Sequence, residues 1–126
     1  MTILFMCAAN SVRSQLAEGI ARKYLPEHKI LSAGAGSSHV HPTVIDVLRD
    51  LEGIDASSHI SKSVAEIDVD MVDLTIAVCK ESVMPPELLL KPHRVWPFSV
   101  PSNRSLTESL AKEMKEKILV LKSELS

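Results

Sequence analysis

The hydrophobic and polar positions of this chain alternate between two patterns. One pattern is the short continuous apolar run, which is typical of parallel strands that are buried on both faces. Ile3–Met6 is such a run and predicts a central strand, and further strands are predicted at Lys29–Ser32, Leu74–Val78 and Arg94–Trp96. Strands that are separated by helical segments pair in parallel through crossover connections.

The second pattern is the recurrence of apolar residues at helical spacing, with start and stop signals at its ends. Leu16 and Ile20 stand four residues apart in a helix that is predicted at Ser14–Leu25. Further helices are predicted between Pro42 and Gly53, at Ser63–Glu66, at Pro85–Leu90, and from the capping-box sequence Ser105–Glu108 onward, with Leu106 opening the apolar stripe.

Together these elements predict one domain over residues 1–126. We expect an α/β fold in which a four-stranded parallel sheet is flanked by helices on both faces. In such sheets, ligands bind beyond the C-terminal ends of the strands. Cys7 and Cys79 are the only cysteines, and each follows the end of a predicted strand. The pattern therefore favours a site with two cysteines at one edge of the sheet.

Composition narrows the classes of function. The net charge is −2 and aromatic residues make up 3% of the chain, which disfavours binding to nucleic acid or to an anionic membrane. The apolar runs are too short to cross a bilayer and no signal-peptide pattern opens the chain, so we expect a cytoplasmic protein. The five histidines show no metal-ligand spacing with the cysteines, so neither a metal nor another cofactor is expected.

The segment from Cys7 to Ser14, CAANSVRS, runs from a predicted strand into a predicted helix. The backbone N–H groups of such a loop and the positive end of the helix favour a tetrahedral oxyanion. The same positive field favours the thiolate of Cys7 as a nucleophile, and Ser14 can donate its hydroxyl to that thiolate. In the alternative interpretation, Cys7 is a small packed residue at a strand end.

The predicted oxyanion-binding residues are Ala8, Ala9, Asn10, Ser11, Val12 and Arg13, of which the last contributes a planar fork of donors.

The sequence CAANSVRSQLAEG at Cys7–Gly19 resembles the signature of the low-molecular-weight protein tyrosine phosphatase superfamily, and is most similar to its thiol-dependent arsenate reductase branch. The resemblance implies a four-stranded parallel sheet flanked by helices. It also implies that Cys7 is the nucleophile, Arg13 the anion-binding arginine and Asn10 the residue that orders the loop. The similarity continues through Ser32–Gly34, Val40–Pro42, Gly53–Asp55, Ser57–Lys62 and Trp96–Pro101.

Some positions depart from the phosphatases of this family. Val100 stands where those enzymes carry the aspartate that protonates the leaving group. Because valine transfers no proton, phosphoester cleavage should be slower by roughly 10²–10⁴ unless Glu108 or a water substitutes. Small side chains stand where phosphatases place bulky ones, so we expect no aromatic slot for phosphotyrosine; these residues are Ala8, Ser11, Ser102 and Asn103.

Two further departures concern the support of the loop. Ala9 replaces a glycine that is common in the family, and it would be strained by roughly 1 kcal/mol if its φ were positive. Lys62 stands where some family members place an aspartate ligand for a potassium ion. Its ammonium either substitutes for that cation beside Glu18 or Asn10, or is a solvated surface group.

Cys79 stands where the resemblance places the first resolving cysteine of the arsenate reductases. The following segment, Lys80–Pro86, contains no second one, and the alternative is a cysteine that only packs. The resemblance implies that Cys7 reduces arsenate to arsenite and ends in a Cys7–Cys79 disulfide, which an external thiol, thioredoxin-like or small, reduces. Two alternatives stay open. One is a phosphomonoesterase without its usual general acid, and the other is a non-catalytic oxyanion-binding module.

Overall fold

Strands and helices alternate along the chain in a computed structural model that describes residues 1–126. Two single-turn 3₁₀ helices, Val64–Glu66 and Val69–Met71, lie in the connection between the second helix and the third strand. No helix is both long enough and apolar enough to span a membrane. The elements are β1 (Thr2–Cys7), α1 (Arg13–Tyr24), β2 (Lys29–Gly34), α2 (Pro42–Glu52), β3 (Leu74–Ala77), α3 (Pro86–Leu89), β4 (His93–Val95) and α4 (Arg104–Leu125).

The four strands form one sheet in the order β2-β1-β3-β4, and every neighbouring pair is parallel. β1 therefore lies between β2 and β3. At its C-terminal end, Cys7 pairs with Gly34 of β2, and Met6 pairs with Ala77 of β3. The predicted α/β fold is confirmed, and the ends of these three strands meet at one edge of the sheet.

The side chains of β1 serve two separate cores. Ile3 and Phe5 pack into the main core with residues of α1, α2 and α4 on one face of the sheet. Leu4 and Met6 point to the other face and pack with Leu88 of α3. All of these strand residues are fully buried, which contributes about 1.5–3 kcal/mol for each large side chain. Burial on both faces explains why β1 is a continuous apolar run.

The start of α4 differs from the sequence prediction. The helix begins at Arg104, because the Asn103 side chain accepts a hydrogen bond from the Leu106 N–H at 2.8 Å and caps the helix. Glu108 does not close a capping box with Ser105; its carboxylate pairs with Arg104 at 3.0 Å. The predicted capping box is therefore wrong. Leu106 is 49% exposed, and the buried face of α4 consists of Thr107, Leu110, Ala111, Met114, Ile118 and Leu121.

The boundaries of α2 follow the predicted signals. His41 caps the helix by accepting a hydrogen bond from the Thr43 N–H at 3.1 Å, and Pro42 occupies the first turn. Gly53 ends the helix with a left-handed φ of 65°, the conformation that favours glycine. His41 is thus a helix cap.

Candidate active site

The loop between β1 and α1 directs its carbonyl groups into the surrounding scaffold. Every carbonyl oxygen from Cys7 to Val12 accepts a hydrogen bond of 2.9–3.2 Å. The donors are the backbone N–H groups of Leu16, Ala35, Gly36 and His41, the hydroxyl of Ser61 and the side-chain amide of Gln15. These bonds hold the loop from outside.

The backbone N–H groups of the same loop have no partner in the protein. From Ala8 to Ser14, none of them donates to a carbonyl oxygen or to a side chain. Val12, the N-cap of α1, supplies no side-chain cap either, so the first turn of the helix keeps its free donors. Free N–H groups and the positive end of a helix dipole are the features that bind an oxyanion.

Asn10 holds the loop in shape. It is the only non-glycine residue with a positive φ, 51°, and asparagine tolerates this conformation better than most residues. The strain considered for Ala9 therefore does not arise, since the left-handed position is the next residue. The Asn10 side chain is fully buried and uses its full hydrogen-bonding capacity at 2.7–3.0 Å, with Ser14, Gln15, Ser32 and Lys62 as partners.

Gly34, at the end of β2, allows the loop to lie directly against the sheet. A Cβ at this position would lie 2.7 Å from the backbone nitrogen of Asn10 and 2.8 Å from the carbonyl oxygen of Ala8. It would also lie 2.3 Å from the carbonyl oxygen of Gly36. Because all three neighbours are backbone atoms, a side chain here would displace the loop.

Cys7 lies beneath the loop with its sulfur 3.0 Å from the Ser14 hydroxyl. Both side chains are buried. The Asn10 amide already donates to the Ser14 oxygen at 2.7 Å, so the Ser14 hydroxyl proton is free to point at the sulfur. This arrangement favours Ser14 as a donor to a Cys7 thiolate.

Arg13 contributes a buried guanidinium at the start of α1. Its two terminal nitrogens donate to the Glu81 carboxylate at 3.1 and 2.7 Å, and one of them also donates to the Phe98 carbonyl at 3.1 Å. Burial works against its charged form, but the hydrogen bonds and the charge of Glu81 raise the pKa of Arg13 overall. The bonds from Arg13 hold the pKa of Glu81 below its usual range.

Cys79 lies close to Cys7 at the same edge of the sheet. The N–H of Val78 donates to the Met6 carbonyl at 2.8 Å, so the chain leaves β3 alongside the end of β1. Neighbouring strands are about 4.8 Å apart and a one-residue offset adds about 3.3 Å along the strand, so the two Cα atoms lie within the separation that a disulfide allows. Burial raises the pKa of the Cys79 thiol, and the charge of Arg13 offsets part of this effect.

A buried carboxylate supports the loop from the opposite side. Glu18 of α1 accepts a hydrogen bond from the Ser32 hydroxyl, and Ser32 in turn binds the Asn10 amide. The Lys62 ammonium lies 3.7 Å from Glu18, and Arg22 lies 3.2 Å from it. Lys62 is therefore placed where its charge compensates a buried carboxylate.

Two cavities open beside the loop, and they are lined differently. A cavity of about 210 Å³ opens beside Val12, and no phenylalanine, tyrosine or tryptophan lines it; its other residues are His41, Thr43, Val44, Pro101, Ser102, Asn103, Arg104 and Thr107. Val100 is 62% exposed next to this region. Val100 lines a second cavity, of about 310 Å³, whose lining includes Phe98.

Sequence reasoning missed Glu81, because its partner Arg13 lies 68 residues away in the chain. The available signal was an acidic residue two positions beyond Cys79, at the edge of the sheet where the loop lies. The remaining predicted site residues, from Cys7 to Ser14, run from the end of β1 through the loop into the first turn of α1, and Cys79 lies beside them.

Comparison with known proteins places this geometry in a family. The family model of the low molecular weight phosphotyrosine protein phosphatases matches residues 2–89. A glutaredoxin arsenate reductase of Synechocystis is 38% identical over 108 residues, which cover 82% of this chain and 81% of that protein. An arsenate reductase of Bacillus subtilis is 32% identical over 111 residues, which cover 84% and 78% of the two chains.

Solved structures show the same architecture over nearly the whole chain. An arsenate reductase in its phosphate-binding state superposes with a TM-score of 0.91 and 30% identity, covering 99% of this chain and 98% of the other. A low molecular weight protein tyrosine phosphatase from T. tengcongensis superposes with a TM-score of 0.84 and 27% identity, covering 98% and 99%.

Proposed function

This chain belongs to the low molecular weight phosphotyrosine protein phosphatase family, and on that premise we propose that it reduces arsenate to arsenite. The observation that carries the proposal is the placement of Cys79 beside Cys7 at the ends of adjacent strands. A hydrolytic phosphatase reaction requires one nucleophilic cysteine, whereas a reduction requires a second thiol. The names of the relatives support the same activity.

Arsenate binds to the free N–H groups of the loop and to Arg13. The Cys7 thiolate attacks arsenic, an As–S bond forms, and one oxygen leaves as water after protonation. Ser14 stabilises the thiolate before the attack. Oxygen exchange on arsenic is intrinsically easy, so the absence of a general acid at Val100 costs this step less than it costs phosphoester cleavage.

The Cys79 thiolate then attacks the Cys7 sulfur. The S–S bond forms, the As–S bond breaks, and its electron pair stays on arsenic, which leaves as arsenite. The two thiols supply the two electrons, and the product is a Cys7–Cys79 disulfide. An external thiol, thioredoxin-like or small, reduces this disulfide, as fits a protein that works in the reducing cytoplasm.

A single-turnover assay tests the proposal. Reduced protein is mixed with arsenate in the absence of any other thiol, and arsenite and free thiols are counted. We expect two thiols to be lost for each arsenite released. Cys7→Ser should abolish turnover, and Cys79→Ser should stop at an adduct between Cys7 and arsenic that mass spectrometry detects.

Two results would contradict the proposal. If the wild type releases no arsenite while it still binds phosphate, the chain is an oxyanion-binding module or a phosphatase. If Cys79→Ser reduces arsenate as fast as the wild type in a thiol buffer, Cys79 only packs, and an external thiol attacks the Cys7 adduct directly.

A slow phosphomonoesterase is the second candidate. The loop, Arg13 and the bond between Cys7 and Ser14 suit the attack of a thiolate on phosphorus as well as on arsenic. Exposed Val100, in place of an acid, disfavours it.

A further inference from the structure

The guanidinium of Arg13 has one edge occupied and one edge free. Its terminal nitrogens donate end-on to Glu81, and the second hydrogen on one of them goes to Phe98. The Nε hydrogen and one terminal hydrogen remain, and they lie parallel on one edge of the fork. Two oxygens of a tetrahedral oxyanion fit such an edge.

Glu81 belongs to the Cys79 segment, which we define as residues Cys79–Met84. No backbone N–H or carbonyl group of this segment forms a hydrogen bond with another backbone group. The Cys79 thiol donates only to the Glu81 carbonyl, at 3.5 Å, which is within the same segment. The Arg13–Glu81 pair is therefore the polar contact between the segment and the rest of the protein, whereas Val83 and Met84 hold the end of the segment by apolar packing.

The two ends of this contact serve different steps of the reaction. Arg13 faces the bound oxyanion, and Glu81 is two residues from Cys79 in the chain. The Glu81 side chain is 47% exposed, whereas that of Arg13 is 6% exposed. Water can therefore replace Arg13 as the partner of Glu81 without burying a free carboxylate.

We propose that Glu81 is a positioning residue that holds the Cys79 segment closed on Arg13 and releases it when an oxyanion binds. This inference rests on the proposed function and assigns the order of its steps. An oxyanion and the Glu81 carboxylate share one positive charge, and they repel each other across it. Oxyanion binding thus weakens the Arg13–Glu81 pair and allows the Cys79 thiol, which donates to the Glu81 carbonyl in the closed segment, to turn toward the Cys7 sulfur. Without a bound oxyanion, Cys79 stays buried, and the two thiols are kept from pairing prematurely.

Thermodynamic linkage gives the direction of the effect that Glu81 should have on phosphate binding. If a bound oxyanion weakens the Arg13–Glu81 pair by some factor, the pair weakens oxyanion binding by the same factor. Removing the Glu81 charge should therefore tighten phosphate binding. If Glu81 served only to orient Arg13, its removal would loosen phosphate binding instead.

The experiment measures the accessibility of Cys79 in a Cys7→Ser background, where it is the only thiol. The rate of alkylation by iodoacetamide is followed by mass spectrometry, with and without inorganic phosphate. We expect phosphate to accelerate alkylation several-fold in this background. Adding Glu81→Gln should raise the phosphate-free rate about tenfold and remove the response to phosphate, while Glu81→Asp should retain part of both effects.

Glu87→Gln is the matched control, because Glu87 is an exposed acid on α3 that forms no ion pair. It should change neither the alkylation rate nor the response to phosphate. Isothermal titration with phosphate in the wild-type protein and in Glu81→Gln supplies the second readout, with tighter binding expected in the variant.

Either of two results overturns the proposal. One is an alkylation rate in the Cys7→Ser background that is the same with and without the Glu81→Gln substitution, and the other is looser phosphate binding in Glu81→Gln. Neither measurement involves arsenate, so both are independent of the assay for arsenite. A failed reduction with the expected Cys79 accessibility would contradict only the proposed function.

Discussion

At the scale of single residues, we expect Val100 to influence which reaction the loop can perform. It lies two residues beyond Phe98, whose carbonyl accepts a hydrogen bond from Arg13, so the backbone passes close to Arg13 just before Val100. We expect Val100→Asp to raise kcat for para-nitrophenyl phosphate, by up to roughly 10²–10⁴ if the new carboxyl reaches the leaving group. Steady-state hydrolysis assays measure this change.

Val100→Asn is the control, because it has the same shape as the aspartate and transfers no proton. Equal gains in the two variants would show that polarity rather than proton transfer matters. Efficient hydrolysis by the wild type would mean that another group supplies the proton.

The raised pKa of Cys79 gives a second prediction at this scale. A thiol reacts as its thiolate, and the fraction of thiolate rises tenfold per pH unit below the pKa. An ordinary cysteine levels off near pH 8.5. Because burial raises the pKa of Cys79 in the closed protein, its alkylation in Cys7→Ser should keep rising above that pH. A plateau below pH 8.5 would contradict the burial of Cys79, and free cysteine in the same buffer is the reference.

The residues of the loop could be predicted from their spacing in the sequence, whereas contacts between distant parts of the chain could not. Cys7, Asn10, Arg13 and Ser14 lie within eight positions, so their relation could be inferred from the strand-to-helix pattern alone. The contact of Arg13 with Glu81 joins residues 68 positions apart and depends on how the Cys79 segment folds over the sheet. The left-handed conformation of Asn10 likewise depends on backbone bonds that no spacing rule contains.

At the scale of elements, the end of β2 determines the position of the loop. Gly34→Ala should displace the loop, because its Cβ would meet three backbone atoms within 2.8 Å. We expect the free energy of unfolding to fall by about 1–3 kcal/mol, as in other overpacked sites, and phosphate binding to weaken strongly. Urea unfolding and phosphate titration measure the two effects.

Gly36→Ala is the matched control, since a Cβ there meets no atom within 4 Å. Its stability and its phosphate binding should be close to those of the wild type. If both variants behaved alike, the contact between β2 and the loop would not be what positions the loop.

The strands were predicted to within two residues, and the clearest signal was the continuous apolar run of β1. The start of a helix was predicted less accurately where two nearby residues could each cap it. The predicted N-cap of α4 was Ser105, but Asn103 caps the helix, which therefore begins at Arg104. The 3₁₀ helix Val69–Met71 was missed, since a single turn is too short to show a helical period.

At the scale of the whole molecule, oxyanion binding should stabilise the fold. A ligand that binds only the folded state adds about 2.7 kcal/mol at a hundred times its Kd. Phosphate, sulfate and arsenate should each raise Tm, and Arg13→Ala should remove most of the increase. Arg49→Ala is the control, because Arg49 is exposed and pairs only with Asp46 and Asp50.

Arg22 is a poorer control than its helical surface position suggests, because its guanidinium lies 3.2 Å from buried Glu18. Differential scanning fluorimetry measures all of these shifts. An increase in Tm that survives in Arg13→Ala would place the anion elsewhere.

The pairing of β1 with β3 brings together two cysteines that are 72 positions apart in the chain. A bond between their sulfurs would close a loop of more than half the protein. The chain-entropy relation assigns such a closure about 4 kcal/mol of added resistance to unfolding. The oxidised protein would thus be the form most stable to unfolding, and it would also be inactive until the disulfide is reduced. Because this added stability is lost on reduction, the thiol that restores activity must be a strong enough reductant to open a cross-link that the fold itself favours.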